Sequence, residues 1–282
     1  MLYDLHVHTT ASDGVFSPRQ IIDMAIQTGL EGIAITDHDT VDGLPLALSY
    51  VSENRLNIDL IPGIELNTEY QGNEIHILGY FIDHKNYHLN KRLNEIKKAR
   101  HNRAIEMINK LCDMGFSITI NRVAELARGG LIGRPHIAQA LIEGGYAASV
   151  KEAFSEYIGP GKPAYVPRYK FLPQEAVNLI RNAGGIPVIA HPGLLKEPSW
   201  LKYAIDIGVE GIEAYYPEHT SEQTEEFLRI GREKGLIITG GSDFHGLDNV
   251  GGESAGLGEA GITMDLVDNL YKHHTKKIKI MR

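Results

Sequence analysis

Two histidines spaced two residues apart, His6 and His8, stand at the end of the first apolar segment of the chain. Side chains two apart on a β-strand point to the same face, so both imidazoles would reach one place. Neutral imidazoles are common ligands of divalent metal ions, and two of them can chelate one ion. Taken alone, this short motif is equally consistent with a pair of surface histidines.

Further residues of the types that bind metals lie at the ends of other apolar segments or just after them. They are Asp13, His38, Glu65, His76, His191, Asp243 and His245. Each has an ordinary alternative, because a buried histidine is usually a hydrogen-bonded core residue and Asp13 before a glycine is typical of a turn. Their recurrence after nearly every apolar segment favours a centre of several metal ions, the kind of site that activates water for hydrolysis.

Seven short apolar segments could position these ligands as β-strands. The segments are residues 2–7, 32–36, 60–64, 75–80, 186–190, 209–214 and 236–239. Strands of this kind alternating with helices indicate a parallel sheet. A TIM-like barrel is favoured over an open doubly wound sheet, because the candidate ligands follow nearly every strand, whereas an open sheet gathers its site at one switch point.

The pattern changes between residues 84 and 166, where helices are predicted without convincing strands. We interpret residues 85–165 as a helical insertion domain that covers the mouth of the barrel. Residues 1–84 and 166–282 then form the barrel domain.

Composition places the chain among ordinary globular proteins. Its 282 residues are 43% hydrophobic and 23% charged, enough to bury a large core. The net charge of −8 argues against a broad surface for long nucleic acids. No stretch approaches the ~20 apolar residues that span a bilayer, and the N-terminus has no signal-type pattern, so we expect a cytoplasmic protein that does not associate with membranes.

The order of these motifs resembles the PHP (polymerase and histidinol phosphatase) family of metal-dependent phosphoesterases. The matching segments are His6-x-His8 with Asp13, Thr36-Asp37-His38-Asp39, Gly63-Ile64-Glu65, His76, Ala190-His191-Pro192 and Gly241-Ser242-Asp243-x-His245. The resemblance implies a distorted seven-stranded β/α barrel and a centre of three divalent metal ions, which are manganese, iron or zinc.

The resemblance also implies which residues hold each ion. His6, His8, Glu65 and Asp243 would hold the first, Glu65, His76 and His191 the second, and Asp13, His38 and His245 the third. Many relatives have histidine where this chain has Asp13. Because an anionic oxygen ligand favours harder ions, Mn²⁺ is expected, with Fe²⁺ next and Zn²⁺ less favoured.

The insertion is similar to that of nucleoside 3′,5′-bisphosphate phosphatases and related 5′-to-3′ exoribonucleases that act on short RNA. The segments that carry this similarity are Gly133-Arg134-Pro135-His136, Pro160-Gly161-Lys162-Pro163 and Tyr165-Val166-Pro167. A guanidinium fork and a lysine point charge suit phosphate recognition, so Arg134, His136 and Lys162 are candidate substrate contacts. Solvation at the surface, or a place at a helix start, is the alternative for these residues.

His219 follows the sixth predicted strand and therefore faces the same rim. It is a candidate for contacting phosphate or protonating the leaving oxygen, and capping of the next helix is the alternative. Asp37 and Asp39 are candidates to orient ligand imidazoles by accepting their ring N–H groups, or to cap a helix. The candidate catalytic residues are Glu65, Asp243, His191 and His219.

The expected reaction is hydrolysis of a phosphate ester by a metal-activated hydroxide. The expected substrate is a 3′,5′-bisphosphate nucleotide or the 5′ end of a short RNA, with no obligate protein partner. The alternatives are a phosphatase for histidinol phosphate or another small phosphomonoester, an amidohydrolase, and a non-catalytic metal module. No lysine at a strand end offers the carboxylated ligand often found in amidohydrolases, and the complete ligand set argues against a non-catalytic module.

Overall fold

The strands and helices are described by a computed structural model that covers residues 2–246 and 255–281. Its strands are β1 (Leu2–Val7), β2 (Gly32–Ile35), β3 (Asp59–Tyr70), β4 (Asn73–Tyr80), β5 (Ile186–Ile189), β6 (Gly211–Tyr215), β7 (Ile237–Gly240) and β8 (Ile262–Thr263). Its α-helices are α1 (Pro18–Gln27), α2 (Leu44–Glu53), α3 (Tyr87–Asp113), α4 (Ile120–Leu126), α5 (Arg134–Glu143), α6 (Val150–Ala153), α7 (Pro173–Asn182), α8 (Pro198–Asp206), α9 (Ser221–Lys234) and α10 (Met264–Met281).

The strands form one sheet in the order β7-β6-β5-β4-β3-β2-β1-β8. Val7 at the end of β1 is bridged to Phe244, just beyond β7, and the His8 N–H donates to the Phe244 carbonyl at 2.9 Å. The two ends of the sheet therefore meet, and the barrel is nearly closed. The predicted α/β barrel is confirmed, with the short strand β8 as an eighth strand in the described part of the chain.

The strand directions correct the expectation of a parallel sheet. Strand β4 runs antiparallel to both β3 and β5, and β8 runs antiparallel to β1. A two-residue turn, Gln71-Gly72, joins β3 to β4, and both residues have positive φ, 50° and 79°. Such a short connection can join only antiparallel neighbours. The resulting hairpin carries β3 and β4 beyond the predicted apolar segments to a polar tip.

The helices around the barrel follow local sequence rules. Helix α1 begins at Ser17, whose hydroxyl and the Gln20 side chain form a reciprocal cap, and its buried face carries Ile21, Ile22 and Ala25. Helix α9 ends at Gly235, which adopts the left-handed conformation with φ of 65°. None of the helices built from the described residues is long and apolar enough to cross a bilayer.

Helices α3 to α6 lie together between the fourth and fifth strands of the chain. Their apolar faces form a hydrophobic cluster that includes Met107, Leu111, Ile137 and Leu141, apart from the clusters that fill and surround the barrel. No strand occurs among residues 85–165, all of which the structure describes. A separate apolar core is the observation that supports the proposed insertion domain.

Candidate metal centre

His6, His8, Glu65 and Asp243 meet at one end of the barrel. The first three are fully buried. Oδ1 of Asp243 lies 3.3 Å from Nε2 of His6 and 3.0 Å from Nε2 of His8. Oε2 of Glu65 lies 3.3 Å and 3.4 Å from the same two nitrogens. The structure thus brings together the four residues expected around the first ion.

The carboxylate of Glu65 also contacts three further imidazoles. Its Oε1 lies 3.0 Å from Nδ1 of His76 and 3.2 Å from Nε2 of His191, and its Oε2 lies 2.8 Å from Nδ1 of His38. Glu65 is therefore placed to bridge ions, as the resemblance implied. His38 was expected only around the third ion, but it contacts Glu65 as well as Asp13.

Asp13 lies close to the other residues expected around the third ion. Its Oδ1 lies 3.3 Å from Nε2 of His245, and its Oδ2 lies 3.9 Å from Nε2 of His38. His8 joins the same group, with its ring stacked on that of His245 at a centroid distance of 4.0 Å. The set expected around the third ion is therefore in place, with His8 added to it.

The nitrogen and oxygen atoms of the cluster are better placed to bind metal ions than to hydrogen-bond to one another. Ligand-type atoms of the cluster are buried without a hydrogen-bond partner among the described residues: His6 Nε2, His8 Nδ1 and Nε2, Asp13 Oδ1, His38 Nδ1, Glu65 Oε2, His76 Nε2 and Asp243 Oδ1. Leaving such an atom unpaired costs about 1–3 kcal/mol. Ligands about 2.1 Å from one ion are roughly 3.0–3.4 Å apart, which is the range of most contacts in this cluster.

The charges of the cluster suit cations. Burial would raise the pKa of Glu65, but His38, His6 and His76 hold it well below its usual value. Burial likewise opposes ionisation of Asp243, yet His6 and His245 keep its pKa well below normal. The carboxylates of the centre therefore stay ionised at neutral pH, as metal ligands must be.

Glu213 on β6 supports two of the candidate ligands, and the sequence analysis missed it. The residue is fully buried. Its Oε1 accepts a hydrogen bond from Nδ1 of His6 at 2.9 Å, and its Oε2 accepts one from the backbone N–H of His191 at 2.6 Å. Because a carboxylate only accepts, Nδ1 of His6 carries a proton, and Nε2 is the ring nitrogen that a metal would bind. A lone glutamate within an apolar strand was the available signal.

Asp37 and Asp39 do not orient the ligand imidazoles, which corrects that prediction. Asp37 accepts hydrogen bonds from the backbone and side chain of Thr9 and from the hydroxyl of Ser12, so it fixes the loop that carries Asp13. Asp39 accepts from Asn67 and pairs with Arg100. Helix capping is not their role either, because α2 begins at Gly43.

A cavity of about 190 Å³ adjoins the centre. Its lining includes Asp13, His38 and His76 of the centre and the four arginines Arg100, Arg103, Arg134 and Arg168. The lining also includes Asn67, Phe154, Tyr169 and Phe171. We call this space the arginine cavity.

The four arginines are only partly neutralised. Arg134 and Arg168 both bind Glu74, whereas Arg100 pairs with Asp39. Arg103 donates from Nε to a backbone carbonyl at 2.7 Å, and its buried Nη2 has no hydrogen-bond partner among the described residues. Burial and then the neighbouring guanidinium groups lower the pKa of Arg103 to about 10. Crowded cations in a cavity favour an anionic ligand.

The three residues predicted to contact substrate lie in different surroundings. Arg134 lines the arginine cavity, with its guanidinium 5.2 Å from the centre of the Phe154 ring. His136 accepts from the Gly133 N–H at the start of α5 and borders a second cavity of about 390 Å³ instead. Lys162 is exposed and lies outside the lining of both cavities.

His219 is engaged by backbone groups at both ring nitrogens. Its Nδ1 donates to the Ala214 carbonyl at 3.0 Å, and its Nε2 accepts from the Gly193 N–H at 3.0 Å. The ring therefore ties the loop after β6 to the loop after β5. This geometry leaves neither nitrogen free for substrate, so it does not support the predicted catalytic contact.

Comparison with known proteins agrees with the geometry. The model of the PHP domain family matches residues 4–159. The chain is 32% identical over 250 residues to the 5′-3′ exoribonuclease Rnm of Salmonella typhimurium, covering 87% of this chain and 85% of that protein. It is 31% identical over 255 residues to the 3′,5′-nucleoside bisphosphate phosphatase of Chromobacterium violaceum, covering 86% of each.

A solved structure is similar over almost the full length. It is of a protein from Bifidobacterium adolescentis assigned as a metal-dependent phosphoesterase, with a TM-score of 0.86, 31% identity, and coverage of 96% of this chain and 95% of that one. The resemblance of the sequence motifs is thereby confirmed. The chain belongs to the PHP family and is a metal-dependent phosphoesterase.

Proposed function

We propose that this enzyme hydrolyses a phosphate ester of a nucleotide, either a 3′,5′-bisphosphate nucleotide or the 5′ end of a short RNA. The observation that carries this proposal is that Asp13, His38 and His76 of the candidate centre line the same cavity as Arg134 and Arg168. A phosphate held by the arginines would therefore lie next to the ligand groups. The relatives named as an exoribonuclease and a bisphosphate phosphatase support the same substrate class.

Three divalent ions are proposed for the centre, with Mn²⁺ preferred over Fe²⁺ and Zn²⁺. The three groups described above would hold them, with Glu65 between the first and second. When bound, the ions supply a hydroxide near neutral pH and neutralise charge on the phosphate oxygens. The preference for Mn²⁺ rests on the carboxylate of Asp13, since oxygen ligands suit harder ions.

The arginine cavity supplies binding and orientation. A guanidinium presents two parallel N–H groups to a phosphate, so Arg134 and Arg168 would fix the position of the ester. The rings of Phe154, Tyr169 and Phe171 give the cavity apolar walls suited to a base or ribose. The four guanidinium groups pair with only two carboxylates, Asp39 and Glu74, while Asp13 of the same lining contacts histidines of the centre, so the arginines keep positive charge for a phosphate.

The same features separate the proposal from its alternatives. A neutral amide substrate would not compensate the arginines, which argues against amidohydrolase activity. Histidinol phosphate would use the phosphate contacts but carries an amine that the arginines repel. A non-catalytic module would have no need for an anion-binding cavity beside its metal ligands.

The test is a phosphate-release screen combined with metal analysis of the purified enzyme. Substrates are adenosine 3′,5′-bisphosphate, short 5′-phosphorylated RNAs and histidinol phosphate, with an amidase panel alongside. We expect Mn²⁺-supported release from the nucleotide substrates at least tenfold faster than from histidinol phosphate. A metal-loaded enzyme that prefers histidinol phosphate or an amide, or that is inert towards every phosphate ester, would refute the proposal.

A further inference from the structure

Glu74 lies between two arginines of the arginine cavity. Its Oε1 is 2.9 Å from Nη2 of Arg134, and its Oε2 is 3.0 Å from Nη2 of Arg168. Its Oε2 is also 3.7 Å from Nε2 of His76, a candidate metal ligand. One carboxylate thus binds two guanidinium groups with separate oxygens, directly beside the centre. A phosphate held by Arg134 and Arg168 would make the same contacts with the two guanidinium groups.

The two carboxylates that pair with these arginines differ in how firmly they are held. The side chain of Asp39 is 2% exposed, and the side chain and backbone of Asn67 donate to it in addition to Arg100. The side chain of Glu74 is 42% exposed and projects from the second residue of β4, next to the hairpin turn. Glu74 can therefore turn into solvent without losing a buried position, whereas Asp39 cannot.

We propose that Glu74 is a placeholder that occupies the phosphate position of the free enzyme and is displaced by the substrate. This inference rests on the proposed function. In the free enzyme the carboxylate keeps Arg134 and Arg168 from repelling each other across an empty site. Binding of a phosphate then requires that Glu74 leave. The apparent affinity is therefore the intrinsic affinity multiplied by the fraction of enzyme in which Glu74 has left the arginines.

Displacement also selects among phosphates. A terminal phosphate monoester carries about two negative charges at neutral pH and outcompetes the single charge of Glu74. An internal phosphodiester carries one charge and gains little by replacing a carboxylate of equal charge. Glu74 therefore favours substrates that present a terminal phosphate to the arginines over uninterrupted nucleotide chains.

The experiment compares Glu74→Gln with the matched control Glu69→Gln. Glu69 lies directly opposite Glu74 in the hairpin register. The control therefore removes one negative charge from the neighbouring strand and leaves Glu74 in place. Calorimetric titrations of the metal-loaded enzyme use two probes, adenosine 5′-monophosphate and a dinucleotide monophosphate that has only an internal phosphodiester. Metal content is measured for each variant, because Glu74 lies near His76.

We expect Glu74→Gln to bind adenosine 5′-monophosphate about three- to tenfold more tightly, with a larger gain for the diester, while Glu69→Gln matches the wild type. Unchanged or weaker binding of the monophosphate would overturn the inference, as would loss of metal from Glu74→Gln. A wild-type enzyme that binds neither probe would instead overturn the proposed function. The two failures are therefore distinguishable.

Discussion

Replacing Glu213 with glutamine tests how the structure prepares His6 to bind metal. The substitution preserves shape but leaves one acceptor oxygen for two N–H groups, Nδ1 of His6 and the backbone N–H of His191. The backbone N–H cannot change its role, so the amide NH₂ of the glutamine would face Nδ1 of His6. That nitrogen must then accept, and the ring proton moves to Nε2.

The shifted proton points at the expected metal position. Nε2 of His6 lies 3.3 Å from Glu65 Oε2 and 3.3 Å from Asp243 Oδ1, so its lone pair is the one that a metal needs. Loss of such a supporting partner typically lowers metal affinity 10–100-fold, or about 1.4–2.7 kcal/mol. We expect this loss for one ion of the centre, with the secondary structure unchanged.

The assay is Mn²⁺ titration by calorimetry with metal counting by mass spectrometry, and circular dichroism to monitor folding. The control is Glu218→Gln, which removes an exposed negative charge from the loop after the same strand. We expect the control to bind Mn²⁺ like the wild type. A folded Glu213→Gln variant that holds its full complement of ions with unchanged affinity would refute the tautomer argument.

Three further predictions concern catalysis, substrate binding and pH. Glu65→Ala is expected to abolish phosphate release and reduce bound metal without unfolding the protein, and a fully active, metal-replete variant would contradict the bridging role. Arg134→Ala should raise KM for adenosine 3′,5′-bisphosphate at least tenfold, and unchanged kinetics would remove this arginine from the site. Burial would raise the pKa of Glu210, but Arg181 and Lys277 help to lower it, so its charge stabilises the fold above about pH 4.5 and less below it. Urea unfolding of Glu210→Gln should therefore show a loss of about 1 kcal/mol at pH 7 that shrinks as pH falls below 4.5, and an equal loss at pH 3 would contradict this.

The barrel and the grouping of the candidate ligands could be predicted because both depend on local patterns. Buried strands have a recognisable apolar composition, and residues directly after such strands share one rim of the barrel. His38, Glu65 and His191 were found in this way, whereas His76 lies within β4, which runs in the opposite direction. Their roles as ligands stay a prediction, and the structure supports it by placing their side chains together.

The parts that could not be predicted depend on contacts between distant segments. Apolar composition does not reveal strand direction, so the antiparallel hairpin of β3 and β4 was missed. Arg100 and Arg103 stand in a charged helix where arginine usually faces solvent, and only the packing of α3 over the barrel turns them towards the centre. Arg168 lies in a segment without regular structure and gave no signal. Lys162, by contrast, had a suggestive motif but faces solvent.

The seam at which the sheet meets itself has a consequence for how the enzyme is made in the cell. Asp243, which contacts His6 and His8, is next in the chain to Phe244, which is bridged to the end of β1. A nascent polypeptide therefore displays its histidine pair long before the opposing carboxylate leaves the ribosome. If the proposed metal centre is correct, its first ion would therefore find all four ligands only after nearly the whole chain has been synthesised.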